Sequence, residues 1–162
     1  MKKLNKIMIA MSAIAMALPA MPLAAQDAAS PVVLKGDVMA EKVITAPDGS
    51  ETREMVPPTT IVPGDRLIFG TDYANSGSDA VSNFVVTNPL PAAVRLAPDA
   101  DPALHVSVDG GKTWGALSAL SITDSDGTTR PAAHADVTHV RWVLASIAPG
   151  ASGRLTYPAI IR

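Results

Sequence analysis

From residue 30 onward, apolar and polar positions alternate with a period near two, in short runs broken by Pro, Gly, Asn and Asp. That pattern predicts strands, not helices. Val32, Leu34, Val38, Ala40 and Ile44 share one parity and predict a long first strand, 32–44. Ala46-Pro47-Asp48-Gly49-Ser50 turns the chain, since Pro presets φ and Gly accepts positive φ. Glu51 to Val56 returns as a polar strand, stopped by Pro57-Pro58. Pro63-Gly64-Asp65 opens a strand from Arg66 to Ala74, with Leu67, Phe69, Thr71 and Tyr73 on one face and Asn75-Ser76-Gly77-Ser78 closing it. Val81 to Thr87 follows, ended by Asn88-Pro89-Leu90-Pro91; then come Val94–Leu96, Leu104–Val108 and Leu117–Thr123. Thr128 to Asp136 reads as loop. In the strand Val137–Leu144, Val140, Trp142 and Leu144 point one way, His139 and Arg141 the other. After Pro149-Gly150 a last strand, Arg154–Ile161, carries Leu155, Tyr157 and Ile161 on one face. About seven to ten short strands at this spacing predict an all-β, antiparallel two-sheet sandwich. Trp114, Trp142, Phe69, Phe84 and Tyr73 are its expected core filler.

The first 25 residues are different. Three lysines, an apolar run from Ile7 to Leu18, and Pro19 and Pro22 before Ala24-Ala25 have the layout of a secretory signal peptide. Cleavage is expected after Ala25, which exports the rest to the periplasm, the exterior or the cell surface. The apolar run is short for a bilayer span, and no second one follows, so the mature chain is not expected to span a membrane. Residues 26–59 form an N-terminal strand and hairpin extension, compact with a sandwich core over residues 60–162.

Composition narrows the function classes. The leader holds three of the lysines, so residues 26–162 carry ten Lys and Arg against fifteen Asp and Glu, a formal net of −5. An acidic surface with only 4% aromatics argues against nucleic acid and anionic lipid as partners. With no cysteine there is no disulfide, thiolate metal site or thiol nucleophile.

Two segments carry a family resemblance. One runs Val62-Pro-Gly64-Asp-Arg-Leu-Ile-Phe69, then Asn75-Ser-Gly77 and Phe84-Val-Val-Thr-Asn-Pro89-Leu-Pro91; the other is Val140-Arg-Trp142 with Ile147-Ala-Pro149-Gly150 and the final apolar strand. Together they resemble the bacterial conserved-repeat family known as domain of unknown function 11, over residues 60–162. The resemblance implies an immunoglobulin-like β-sandwich of secreted and cell-surface proteins, and no catalytic residues. Asn88 stands where the family pattern often has Asp, and one copy is present where members are commonly tandem repeats.

Candidate chemistry is sparse. Ser107-x-Asp109-x-Gly111-x-Thr113-Trp114 fits the Asp-box pattern of sialidase-type propellers and several other folds. In a single copy on a short chain it predicts a structural hairpin: Asp accepts bonds from turn amides, Gly permits the bend and Trp packs below. Asp124 and Asp126 open like a calcium loop but lack the Glu at its twelfth position. His134, Asp136 and His139 lack the spacing of a zinc site. Lys35, Lys42, Asn83 and Asn88 are chemically eligible for an isopeptide crosslink. No nucleophile elbow or phosphate loop occurs. The expectation is a non-enzymatic structural or interaction module without cofactor, self-associating by addition of strand 32–44 or meeting a protein partner. The alternative is a small ligand-binding module, with glycan as the ligand class.

Overall fold

The computed structural model describes residues 30–162; the leader and Ala25 lie outside the described residues. Eleven strands occur among the described residues, more than expected, because Gly115–Ala116 pairs as a short strand and Thr128–Asp136, read as loop, contains another beside a short 3₁₀ turn. They are β1 Val32–Thr45, β2 Glu51–Val56, β3 Arg66–Asn75, β4 Val81–Pro89, β5 Val94–Leu96, β6 His105–Ser107, β7 Gly115–Ala116, β8 Ser121–Thr123, β9 Thr129–Pro131, β10 His139–Ile147 and β11 Ser152–Ile161. The predicted strand Leu117–Thr123 is instead a 3₁₀ turn, Leu117–Ala119, followed by β8. The strand predicted to stop at Thr87 runs on to Pro89, which pairs with His139.

Two antiparallel sheets share one core. The first has the order β2-β1-β3-β11-β5, the second β4-β10-β6-β7, and β8-β9 forms a separate hairpin. Ala40, Leu67, Val94, Leu96, Tyr157 and Ala159 from the first sheet meet Val106 and Val140 from the second. These are the inward parities of the predicted strands, so period-two alternation became burial. Tyr157 stacks on Phe69 with centroids 5.0 Å apart and lies 6.1 Å from Trp142. Burial pushes the Tyr157 phenol up to about 12.

Two polar contacts tie the layers. Asn88 Nδ2 donates to Thr71 Oγ1 at 2.8 Å, which places β4 over β3. Asn75, 1% exposed, donates from Nδ2 to Ile147 O and Asp79 O and accepts Gly77 N at Oδ1. The sequence suggested that Asn75 served a tight turn; it is also the buried latch between β3 and β10. Gly64 and Gly150, expected at turns, have φ of 93° and 73°.

Strand β1 is not a free arm. It pairs with β3 from Val32 to Glu41 and with β2 from Ala40 to Thr45. β1 is thus paired within its own domain, while among the described residues the edge of Val32–Met39 away from β3 has no partner strand. Beyond Glu41 the β1–β2 ribbon runs past the end of β3, so Val43 and Ile44 stay exposed. On the outer face, Arg154 bridges Asp37 of β1 and Asp72 of β3. It can lie flat because residue 70, beneath it, has no side chain; a Cβ there would collide with the guanidinium and with Asp37.

Candidate functional site

The eight-residue motif at 107–114 joins β6 to β7 and holds itself. Asp109 Oδ1 accepts Ser107 Oγ at 2.7 Å, Thr113 N at 2.9 Å and Lys112 N at 3.0 Å, and Oδ2 accepts Thr113 Oγ1 at 2.8 Å. Gly110 and Gly111 have φ of 78° and 88°, a conformation that side chains disfavour. The Thr113 amide, then the Ser107 and Thr113 hydroxyls, hold the Asp109 carboxyl well below the usual carboxylate range. A depressed carboxyl adds stability that is present above the unfolded value near about pH 4 and fades as pH falls below it. Asp109→Asn is therefore expected to melt below the wild type at pH 7, with the gap closing as the pH drops from 5 to 2. A thermal melt series checks this, and a gap constant with pH would assign the loss to shape alone.

Trp114, which ends the motif, is not core filler. Its Nε1 donates to Gly111 O at 2.9 Å, and the ring lies half-buried on the outer face of the second sheet. The parity of β10 explains this: Val140 and Trp142 turn inward, so Arg141 and His139 turn outward beneath Trp114. The Arg141 Cζ stands 4.4 Å from the ring centroid, and the His139 ring meets it edge-on at 6.3 Å. His139 is fixed by Thr138, whose Oγ1 lies 3.0 Å from Nδ1. Arg141 pairs across the sheet with Thr87 of β4 and His105 of β6, which puts those side chains in one row. His105 is exposed, and a recess of about 250 Å³ opens beside it, lined by Asp101, Leu104, His105, Arg141, Trp142 and Val143.

Arg141 differs from the arginines that hold the fold together. Arg53, Arg66, Arg130 and Arg154 are ion-paired, and Arg162 donates to the Val94 and Ala135 carbonyls. Among the described residues Arg141 makes neither a hydrogen bond nor an ion pair; its Nε, like that of the ion-paired Arg66, is enclosed without a hydrogen-bond partner. Arg95 also lacks partners, but it has no aromatic platform.

A second feature lies between the layers. Because β4 sits over β3, the inner face of β1 extends beyond the second sheet. Leu34, on the inward parity, is 45% exposed. A groove of about 420 Å³ runs there, lined by Leu34, Val38, Phe69, Thr71, Asn88 and Pro89. Strand β4 ends its sheet, so its outer edge faces this groove.

The other predicted ligands are otherwise engaged. Asp126 Oδ1 caps the turn by accepting Thr128 N at 2.9 Å, and Asp124 Oδ2 lies 3.4 Å from Arg130. Arg130 grips Asp136 with two bonds and draws its carboxyl down to about 2. His134 and His139 are not brought together with it, and no group of three such side chains is placed for a metal among the described residues. Lys35 lies on the outer parity of β1 while Asn88 points inward, so that crosslink pair is not assembled. No helix among the described residues is long and apolar enough to cross a membrane. Compared with known proteins, the chain matches no protein-family model, no curated protein and no solved structure.

Proposed function

We propose that the chain is an exported, non-enzymatic interaction module of the cell envelope or surface, with an immunoglobulin-like sandwich that associates by accepting a strand. The leader composition and the conserved-repeat resemblance support export and the module class. The layout supports the fold: with the edge strands β2 and β7 of the five- and four-stranded sheets set aside, β1-β3-β11-β5 facing β4-β10-β6 gives the four-against-three arrangement of constant-type immunoglobulin sheets. The chain order departs from that type, since the place beside β3 is taken by the last strand, not by one from mid-chain.

The observation that carries the association is the groove beside β4. An extended segment laid there would continue the second sheet from a free strand edge and cover Leu34, Val38 and Phe69. Regular pairing of β4 runs from Phe84 to Pro89, since Asn83, with φ of 53°, drops out of its ladder. The added strand is thus short, and a second copy of this chain is its expected donor. Light scattering of the purified protein is expected to show mass rising with concentration. Leu34→Asp, at an exposed position, should weaken that assembly by at least about tenfold while leaving the melting curve in place. A wild type that stays monomeric at high concentration overturns the proposal.

A second reading, a ligand-binding module, is favoured by one specific observation: Arg141 is held on Trp114 with its hydrogen-bonding capacity unused.

A further inference from the structure

We infer that the outer face of the second sheet carries a binding site for the carboxylate of an acidic saccharide, with Arg141 as its anchor. The inference rests on the ligand-binding reading and is independent of strand addition. A guanidinium presents its donors in a planar fork that matches a carboxylate with two parallel bonds. In this chain Arg141 has that fork unused, and Trp114 beneath it restricts its plane, so less freedom is lost when a ligand arrives.

The surroundings favour a sugar over a peptide. At the row of Arg141 the sheet has no free edge, since Thr87 of β4 and His105 of β6 flank it in register. Over that row a peptide would find no backbone partner; past it the β6 side of β10 is unpaired at Trp142 and Val143, an edge that the triglutamate probe below tests. The groups presented are side chains on a rigid face: the Thr87 hydroxyl, the His105 and His139 rings, the guanidinium and the rim of Trp114. That set offers donors and acceptors to a hydroxyl-bearing ring and a charge to its carboxylate. Beside these groups the recess, about 250 Å³ and of sugar dimensions, is reached through His105 and Arg141 of that set. One group opposes an anion: Asp101 lines the far end, and its Oδ1 accepts Ala103 N at 2.9 Å. Its charge tunes the site toward a ligand whose carboxylate lies at the Arg141 end.

The test is a titration of the purified protein by calorimetry and tryptophan fluorescence with three probes: a galacturonic acid trisaccharide, its methyl ester, and a triglutamate peptide. The acid trisaccharide is expected to bind, the ester and the peptide at least about tenfold more weakly, and added salt to weaken binding. Arg141→Gln should lose about tenfold or more, Asp101→Asn should tighten, and Leu34→Asp should bind as the wild type does. Because Arg141→Gln alters a packed face, His105→Ala at an exposed position serves as the second variant and should weaken binding without shifting the melting curve. Equal binding of the ester or the peptide overturns the acidic-saccharide assignment and leaves a ligand-binding module standing. Binding unchanged in both Arg141→Gln and His105→Ala overturns the site, and no response to any probe overturns the site and the ligand-binding reading together.

Discussion

Replacing Tyr157 by alanine is expected to lower the unfolding free energy by about 4 kcal/mol, the range seen when a large buried aromatic is truncated. Tyr157 is 2% exposed and stands where the layers meet, stacked on Phe69 of β3 and facing Trp142 of β10. Deleting the ring removes its apolar burial and leaves a void between two sheets whose strands are pinned by long ladders, so the site cannot collapse easily. A single domain has about 5–15 kcal/mol in hand, so this one change takes a large share of it. Urea unfolding gives the value. Tyr157→Phe should stay within about 1 kcal/mol of the wild type, because the contacts described for this side chain belong to the ring. A loss near that size for Tyr157→Ala would mean that the layers slide together, and would contradict rigid packing.

The second large effect is at Asn75. Asn75→Leu keeps the volume and the backbone bonds but removes every side-chain polar contact, so the carbonyls of Ile147 and Asp79 and the amide of Gly77 lose their side-chain partner. Each orphaned group costs about 1 kcal/mol or more, and the expected total is about 3 kcal/mol. Asn75→Asp is a sharper probe: it retains the acceptor for Gly77 but loses both donations and sets a charge at a site 1% exposed. It should therefore be at least as harmful as leucine. Asn75→Asp milder than Asn75→Leu would show that water reaches the latch and satisfies those carbonyls.

These two residues also show how far the sequence could be read. Tyr157 was legible as an inward residue because strand alternation is local, and a period of two assigns its face with no knowledge of partners. The same logic placed Val140 and Trp142 inward and Arg141 outward, and Gly64 and Gly150 in turns. What local pattern does not carry is which strand lies beside which. Leu34 and Ala40 share a parity, yet the offset of the second sheet buries Ala40 and leaves Leu34 exposed. Asn75 read as a turn residue because the chain does turn at Gly77; its bond to Ile147 spans 72 residues and leaves no mark on composition. Trp114 read as core because tryptophan usually is. Only the pairing of β6 with β7 and β10 puts it on the outside, over Arg141. The motif around Asp109 was recognisable as a turn, but the candidate site it serves comes from a residue on a distant strand.

The arrangement of β1, β3 and β11 has a mechanical consequence. Both outer strands are antiparallel to β3, so they run parallel to each other; β1 starts beside Asn75 and β11 ends beside Arg66, at opposite ends of the sheet. A load applied between Ser30 and Arg162 therefore pulls along the strands and not across them. The bonds of a ladder ten pairs long on one side of β3 would have to yield together in shear, where a peeling load would break them one at a time.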